Sequence, residues 1–128
     1  MKLNGDEDRD TLREGNNYAA SLNRLQRFEE AKALLRKLMP VARRVFGNCH
    51  EITLSMRWVY AGALYKDSAA TLDDLREAVT TLESVAKPWK RVLGAAHPDT
   101  SEVQSALAFA RNKLARAAAA AAESKAPP

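Results

Sequence analysis

Few side chains in this sequence are placed to do chemistry. His50 and His97 each stand three residues after a glycine, Gly47 and Gly94, inside two similar short segments. An imidazole in a turn can hold a metal or move a proton, but that work needs further ligands or a nucleophile at fixed spacing. None accompanies either histidine, and their shared place in a recurring turn argues that each packs or hydrogen-bonds between structural units. Cys49 is the only cysteine, which excludes an internal disulfide and a multi-thiolate zinc site, and no group that would activate its thiol surrounds it. Asp73, Asp74 and Glu77 cluster where a helix should begin, and the helix dipole alone accounts for acids there. There is no glycine-rich phosphate loop and no nucleophile–base pair at motif spacing. The expectation is a non-catalytic protein without cofactor or metal.

The elements that carry these residues are helical. The 128 residues suit one domain, and a hydrophobic content of 46% with 28% charged residues is too apolar for wholesale disorder. Ala, Leu, Arg, Lys and Glu dominate long stretches free of glycine and proline, and no segment alternates apolar and polar residues as a half-buried strand would. No apolar run approaches the roughly 20 residues that cross a bilayer. Residues 1–10 are polar and acidic, unlike a secretory signal, so a cytoplasmic location is expected.

The net charge is +4. Between Arg24 and Arg44 the chain carries Arg24, Arg27, Lys32, Arg36, Lys37, Arg43 and Arg44 against only Glu29 and Glu30. Such a stripe is either a solvated helix face or a surface for phosphates or acidic partners. Aromatics suited to base stacking do not interleave with it, so a nucleic-acid or anionic-membrane binder is the second reading.

A repeat organises the chain. Arg43-Arg44-Val45-Phe46-Gly47 returns as Lys90-Arg91-Val92-Leu93-Gly94, and Phe28-Glu29-Glu30-Ala31 returns as Leu75-Arg76-Glu77-Ala78. The spacing is 42 residues from Thr11 to Thr53 and from Tyr18 to Tyr60, but 47 from Thr53 to Thr100 and from Gly47 to Gly94. Five extra residues therefore lie between Tyr60 and Ala78. Asp67–Thr71 is the natural place, because Thr71-Leu72-Asp73-Asp74 has the spacing of a capping box.

The sequence resembles the 42-residue helix–turn–helix repeats of kinesin light chain-type tetratricopeptide repeat proteins. Leu93-Gly94-Ala95-Ala96-His97-Pro98-Asp99-Thr100 matches the first signature element, Asn16-Asn17-Tyr18-Ala19 the second, and Arg27-Phe28-Glu29-Glu30-Ala31 the third. Gln26 stands in place of the turn glycine, while Trp58-Val59 and Ser105-Ala106 replace the asparagine pair in the second and third repeats. The resemblance implies an all-α fold, a short right-handed α-solenoid of antiparallel helix pairs with about two and a half repeats. Its bounds are a flexible acidic segment over 1–10, a helical domain over 11–122 and a disordered tail over 123–128. The repeats fall at about 11–47, 53–94 and 98–122.

First helices are expected over Thr11–Arg24, Ile52–Lys66 and Pro98–Ala122, and second helices over Phe28–Phe46 and Leu72–Leu93. Apolar residues recur at helical spacing: Leu12, Tyr18, Ala19 and Leu22; Tyr60, Ala61 and Leu64; Val103, Leu107 and Ala108. The second helices present Ala31, Leu34, Leu35, Leu38, Ala42 and Val45, then Ala78, Leu82, Val85, Trp89 and Val92. Gly47 and Gly94 suit left-handed helix C-caps. Pro40 and Pro88, deep in the second helices, predict a shared kink or break.

In the resembled family, first helices line a concave groove that holds an extended peptide or a partner helix. Residue by residue this implies a groove of Arg13, Asn16, Asn17, Asn23 and Arg24 from the first repeat. Ser55, Trp58, Tyr65 and Lys66 come from the second, and Glu102, Ser105, Phe109, Asn112 and Lys113 from the third. Asparagine amides serve a peptide backbone, Trp58 or Tyr65 would anchor an apolar side chain, and Arg24, Lys66 and Lys113 align to favour an acidic peptide. Trp58 suits the core equally well. Two and a half repeats also fit a structural or capping unit of a larger array, or self-association through exposed end faces.

Overall fold

The computed structural model describes residues 5–94 and 96–125. Five helices follow one another: α1 (Gly5–Arg24), α2 (Phe28–Phe46), α3 (Glu51–Tyr65), α4 (Leu72–Leu93) and α5 (Pro98–Lys125). No strand is present among the described residues. Each helix packs on the next, and α3 also lies against α1 and α5. This is an all-α, tetratricopeptide-like solenoid: α1 pairs with α2, α3 pairs with α4, and α5 opens a third unit.

The second helices α2 and α4 have the bounds that the sequence predicts. α1 starts six residues before Thr11, and α5 runs on through residues 123–125, where a tail was expected. Residues 1–4 and 126–128 of those two terminal segments lie outside the described residues. The inserted residues divide between loop and helix. α4 opens at Leu72, three positions before Leu75, the equivalent of the Phe28 that opens α2. The rest lengthen the α3–α4 loop, where Asp67 accepts from the Ala69 N–H and turns the chain. Thr71 and Asp74 then exchange side-chain-to-backbone hydrogen bonds, a capping box with aspartate in the acidic position. The Thr71 N–H, donating to the Asp74 carboxylate, holds its pKa below the usual value.

Repeat-signature residues build the turn between units in the same way twice. The Nδ1 of His50 accepts from the Ile52 N–H at 3.1 Å, and that of His97 accepts from the Asp99 N–H at 3.1 Å. Both histidines therefore cap the start of a first helix. The next signature residue is a buried threonine whose hydroxyl bonds back along the chain, to a different depth in each unit: Thr53 donates to the Ala42 carbonyl inside α2 (3.3 Å) and Thr100 to the carbonyl of Gly94, the cap of α4 (2.7 Å). Gly47 and Gly94 share φ 91°, but ψ of 168° and 153° places them in an extended mirror region rather than the left-handed helical one expected. Only glycine adopts that region readily.

Neither proline breaks its helix: α2 continues through Pro40 and α4 through Pro88. The carbonyls that lose a helical partner belong to Arg36 and Ser84, and both residues are exposed, so water can replace the missing donor.

The core forms around α3. Leu54, Met56, Tyr60, Ala61, Ala63, Leu64 and Tyr65 are buried along it, and Leu35, Ala78, Leu82 and Val85 meet them from α2 and α4. Tyr60 joins the second helices on either side. Its hydroxyl donates to Glu77 (2.9 Å) and accepts from Arg36 (3.4 Å), and burial raises its pKa. Three residues expected in the core are exposed. Tyr18 is 58% exposed, because no described helix covers it as α2 covers Tyr60. Ala108 is exposed because no described helix packs over its side of α5. Val92, one residue from the end of α4, is 48% exposed at the edge where the chain turns.

Candidate peptide-binding groove

The first helices α1, α3 and α5 lie side by side, and two adjoining hollows run across them. The first, about 290 Å³, is lined by Ala20, Asn23 and Arg24 of α1, by Trp58, Val59, Gly62 and Tyr65 of α3, and by Lys66. The second, about 480 Å³, shares Trp58, Tyr65 and Lys66 and adds Ser101, Glu102, Ser105, Ala106 and Phe109 of α5. Eight of the fourteen residues predicted for the groove line these hollows: Asn23, Arg24, Trp58, Tyr65, Lys66, Glu102, Ser105 and Phe109.

The other six are placed differently. Asn16 is buried and donates to the Ser55 hydroxyl at 3.0 Å, so this pair locks α1 to α3 beneath the surface. Arg13 is exposed and pairs with Asp10 at 3.6 Å; Asn17 and Asn112 are exposed outside both hollows. Lys113 does not join Arg24 and Lys66 in a basic row. Its ammonium donates to the carbonyls of Tyr65 and Asp67, satisfying the end of α3 where a longer loop leaves carbonyls without helical partners.

Trp58 serves both readings at once. It is half-buried, with its ring edge against the core residue Trp89 at 5.5 Å, and it also borders both hollows. Tyr65 is buried, which raises its pKa, and its ring meets that of Phe109 at 5.7 Å. Phe109 is 58% exposed, an uncovered aromatic at the α5 end of the groove. Lys66 stands 6.0 Å from the Tyr65 ring centroid. Asn23 donates to the Val59 carbonyl at 2.9 Å, which fixes its amide and leaves Oδ1 buried without a partner.

A tetratricopeptide repeat family model matches residues 16–51. Over that span the chain is similar to a tetratricopeptide repeat. The span begins at Asn16 in α1, contains all of α2 and reaches the cap of α3, so the family match and the observed helix pair coincide. No match is found among curated proteins or among solved structures.

Gly62 was missed in the sequence reading of the groove. It sits in the floor of the first hollow, where a β-carbon would come within 3.4 Å of the Asn23 amide nitrogen. A glycine inside a helix costs about 1 kcal/mol relative to alanine. An unexplained glycine in mid-helix was the available signal.

Proposed function

We propose that this chain is a non-catalytic protein-interaction module whose groove across α1, α3 and α5 holds an extended acidic peptide with an apolar anchor. The observation that carries this reading is the pair of hollows sharing Trp58, Tyr65 and Lys66. Arg24 and Lys66 line the first hollow and no carboxylate does, which favours an acidic side chain there. Trp58, Tyr65 and Phe109 give the second hollow an aromatic wall suited to an apolar side chain. A kinesin light chain-type role and a cytoplasmic site of action belong to the same proposal.

The outward stripes of the end helices favour solvent over stacked copies. On α1 the stripe is Glu14, Asn17, Tyr18 and Ser21; on α5 it is Ser101, Ala108, Arg111 and Asn112. Apart from Tyr18 and Ala108 these are polar, unlike the faces that pair successive units.

The test is selection from a peptide display library, followed by titration of the selected peptides. Lys66→Glu and Phe109→Ala change exposed side chains, so the fold should persist, and together they should weaken binding by about ten-fold or more. Gly62→Leu should block the first hollow. Unchanged affinity in both variants would remove the groove as the binding site.

A further inference from the structure

The basic stripe read from the sequence does not survive as one surface. Towards the start of α2, Arg27 pairs with Glu30 and Lys32 is buried against Glu29, both at 2.7 Å, while Arg36 reaches Glu77 through the Tyr60 hydroxyl. At the opposite end the pattern reverses. Consecutive helices here are joined by short loops and alternate in direction, so α2 and α4 end on the same edge of the solenoid. Their last turns carry Arg43 and Arg44, and Lys90 and Arg91, at equivalent repeat positions. All four are exposed, and Lys87 is exposed one turn before Lys90. Among the described residues, none of these five has a carboxylate within 4.0 Å.

We propose that this edge is a second docking surface, and that its partner is the phosphate backbone of a duplex nucleic acid. Cations in a last turn also complement the helix dipole, so position alone is not the argument. The argument is their accumulation with no ion pair to any of them among the described residues. Arg57 of α3 sits near enough to Arg43 for that charge, after burial, to lower its pKa. The solenoid thus gathers like charges from α2, α3 and α4 and repeats a cation pair along its axis. Such a row matches a linear polyanion with a charge on every residue. Arginine predominates in it, and its guanidinium binds phosphate in a bidentate manner.

The chemistry of the edge selects among phosphate partners. Phe46 is stacked on His50 at 4.3 Å, with the Arg9 guanidinium 5.8 Å from the centroid of the Phe46 ring, so it offers no free platform for an unpaired base. Backbone contact to a duplex needs none. Glu51 and Asp99, in the first turns of α3 and α5, fall on the same edge and repel either anionic partner, so the vesicle arm of the test below separates duplex from bilayer.

Fluorescence anisotropy of a labelled DNA duplex of arbitrary sequence, titrated with the full chain, tests the proposal. Binding is expected at low salt, weakening with a log–log slope of about 0.9 per phosphate contact. R43Q/R44Q/K90Q/R91Q should lower affinity by about ten-fold or more and flatten that slope. Should that variant lose helicity by circular dichroism, Arg44→Gln/Arg91→Gln serves instead, with a loss of about three-fold or more. Arg24→Gln/Lys66→Gln removes as many charges from the opposite edge and should leave duplex affinity nearly unchanged. Three results would overturn the proposal: no duplex binding at low salt, equal losses from the two double variants, or binding to phosphatidylserine vesicles but not to the duplex. None of the four edge residues lines the groove, so failure here leaves the peptide reading standing.

Discussion

α3 and α5 hold the same place in successive repeats, yet one is covered on two sides and the other on one. The stripe of α3 that faces backward carries Met56, Tyr60 and Ala63, and its equivalents on α5 are Val103, Leu107 and Ala110; all six are buried. The forward stripe diverges. Leu54 and Leu64 of α3 are almost wholly buried under α4, whereas their equivalents on α5 are the exposed Ser101 and Arg111. A helix in a solenoid needs an apolar face only where a neighbour will cover it. The sequence of α5 keeps one such face and makes the other polar, which keeps its uncovered side compatible with water.

The largest test of this contrast is truncation at equivalent positions. Leu64→Ala should cost about 2–5 kcal/mol in urea unfolding, as a buried leucine that leaves a cavity. Arg111→Ala, which removes an exposed 2.9 Å bridge to Glu83, should cost no more than about 1 kcal/mol. Similar losses at the two sites would break the comparison. The turns after α2 and α4 should behave alike instead, because Gly47 and Gly94 have the same φ and open space around them. Alanine at either should cost about 1–3 kcal/mol from backbone strain, and a clear difference between them would show that the two turns are not equivalent.

A smaller effect separates Tyr60 from Tyr18, its exposed counterpart in α1. Tyr60→Phe removes a bridge between α2 and α4 and should cost about 0.5–1.5 kcal/mol, with Tyr18→Phe close to neutral. Burial raises the Tyr60 and Tyr65 pKa values above the ordinary 10.0. Their contribution to stability is therefore complete below pH 10.0 and declines as pH rises through the raised values. Thermal melts across the alkaline range should show this decline in the wild type and less of it in Tyr60→Phe/Tyr65→Phe. An identical decline in that variant would assign it elsewhere.

The smallest change should be stabilising. The α1–α2 turn bonds the Arg27 N–H to the Leu22 carbonyl and the Gln26 N–H to the Asn23 carbonyl, with Gln26 at φ 61°. A non-glycine residue there costs about 1–2 kcal/mol, so Gln26→Gly should raise the melting temperature slightly, after the entropy lost by adding a glycine. A fall would mean that the Gln26 side chain has a contact of its own.

Much of this molecule was legible in its sequence because the signals were local. The capping box at Thr71 and the bounds of α2 and α4 depend on residues within a turn of one another, whereas the caps at His50 and His97 were expected as contacts between units and emerged only from the structure. The failures share a different character. Tyr18 and Ala108 have the right residue type and spacing for a core, but burial depends on a neighbouring helix, and no described helix covers either. Lys113 aligns with Arg24 and Lys66 by number, yet an unsatisfied helix end two elements away takes its ammonium. Asn16 fits the groove by position, and the approach of α3 turned it into an internal strut.

What the sequence determined alone was therefore the repeat, the helices and the capping box at Thr71, since these follow from backbone geometry and short-range hydrogen bonds. The packing of α1, α3 and α5 decided which predicted groove residues share a surface, because exposure is a property of neighbours and not of residue type. It also decided where the positive charge lies. Read along the chain, the arginines and lysines formed a stripe from Arg24 to Arg44; in three dimensions Arg27 and Lys32 are neutralised locally, while Arg43 and Arg44 share an edge with Lys90 and Arg91, 47 residues further on.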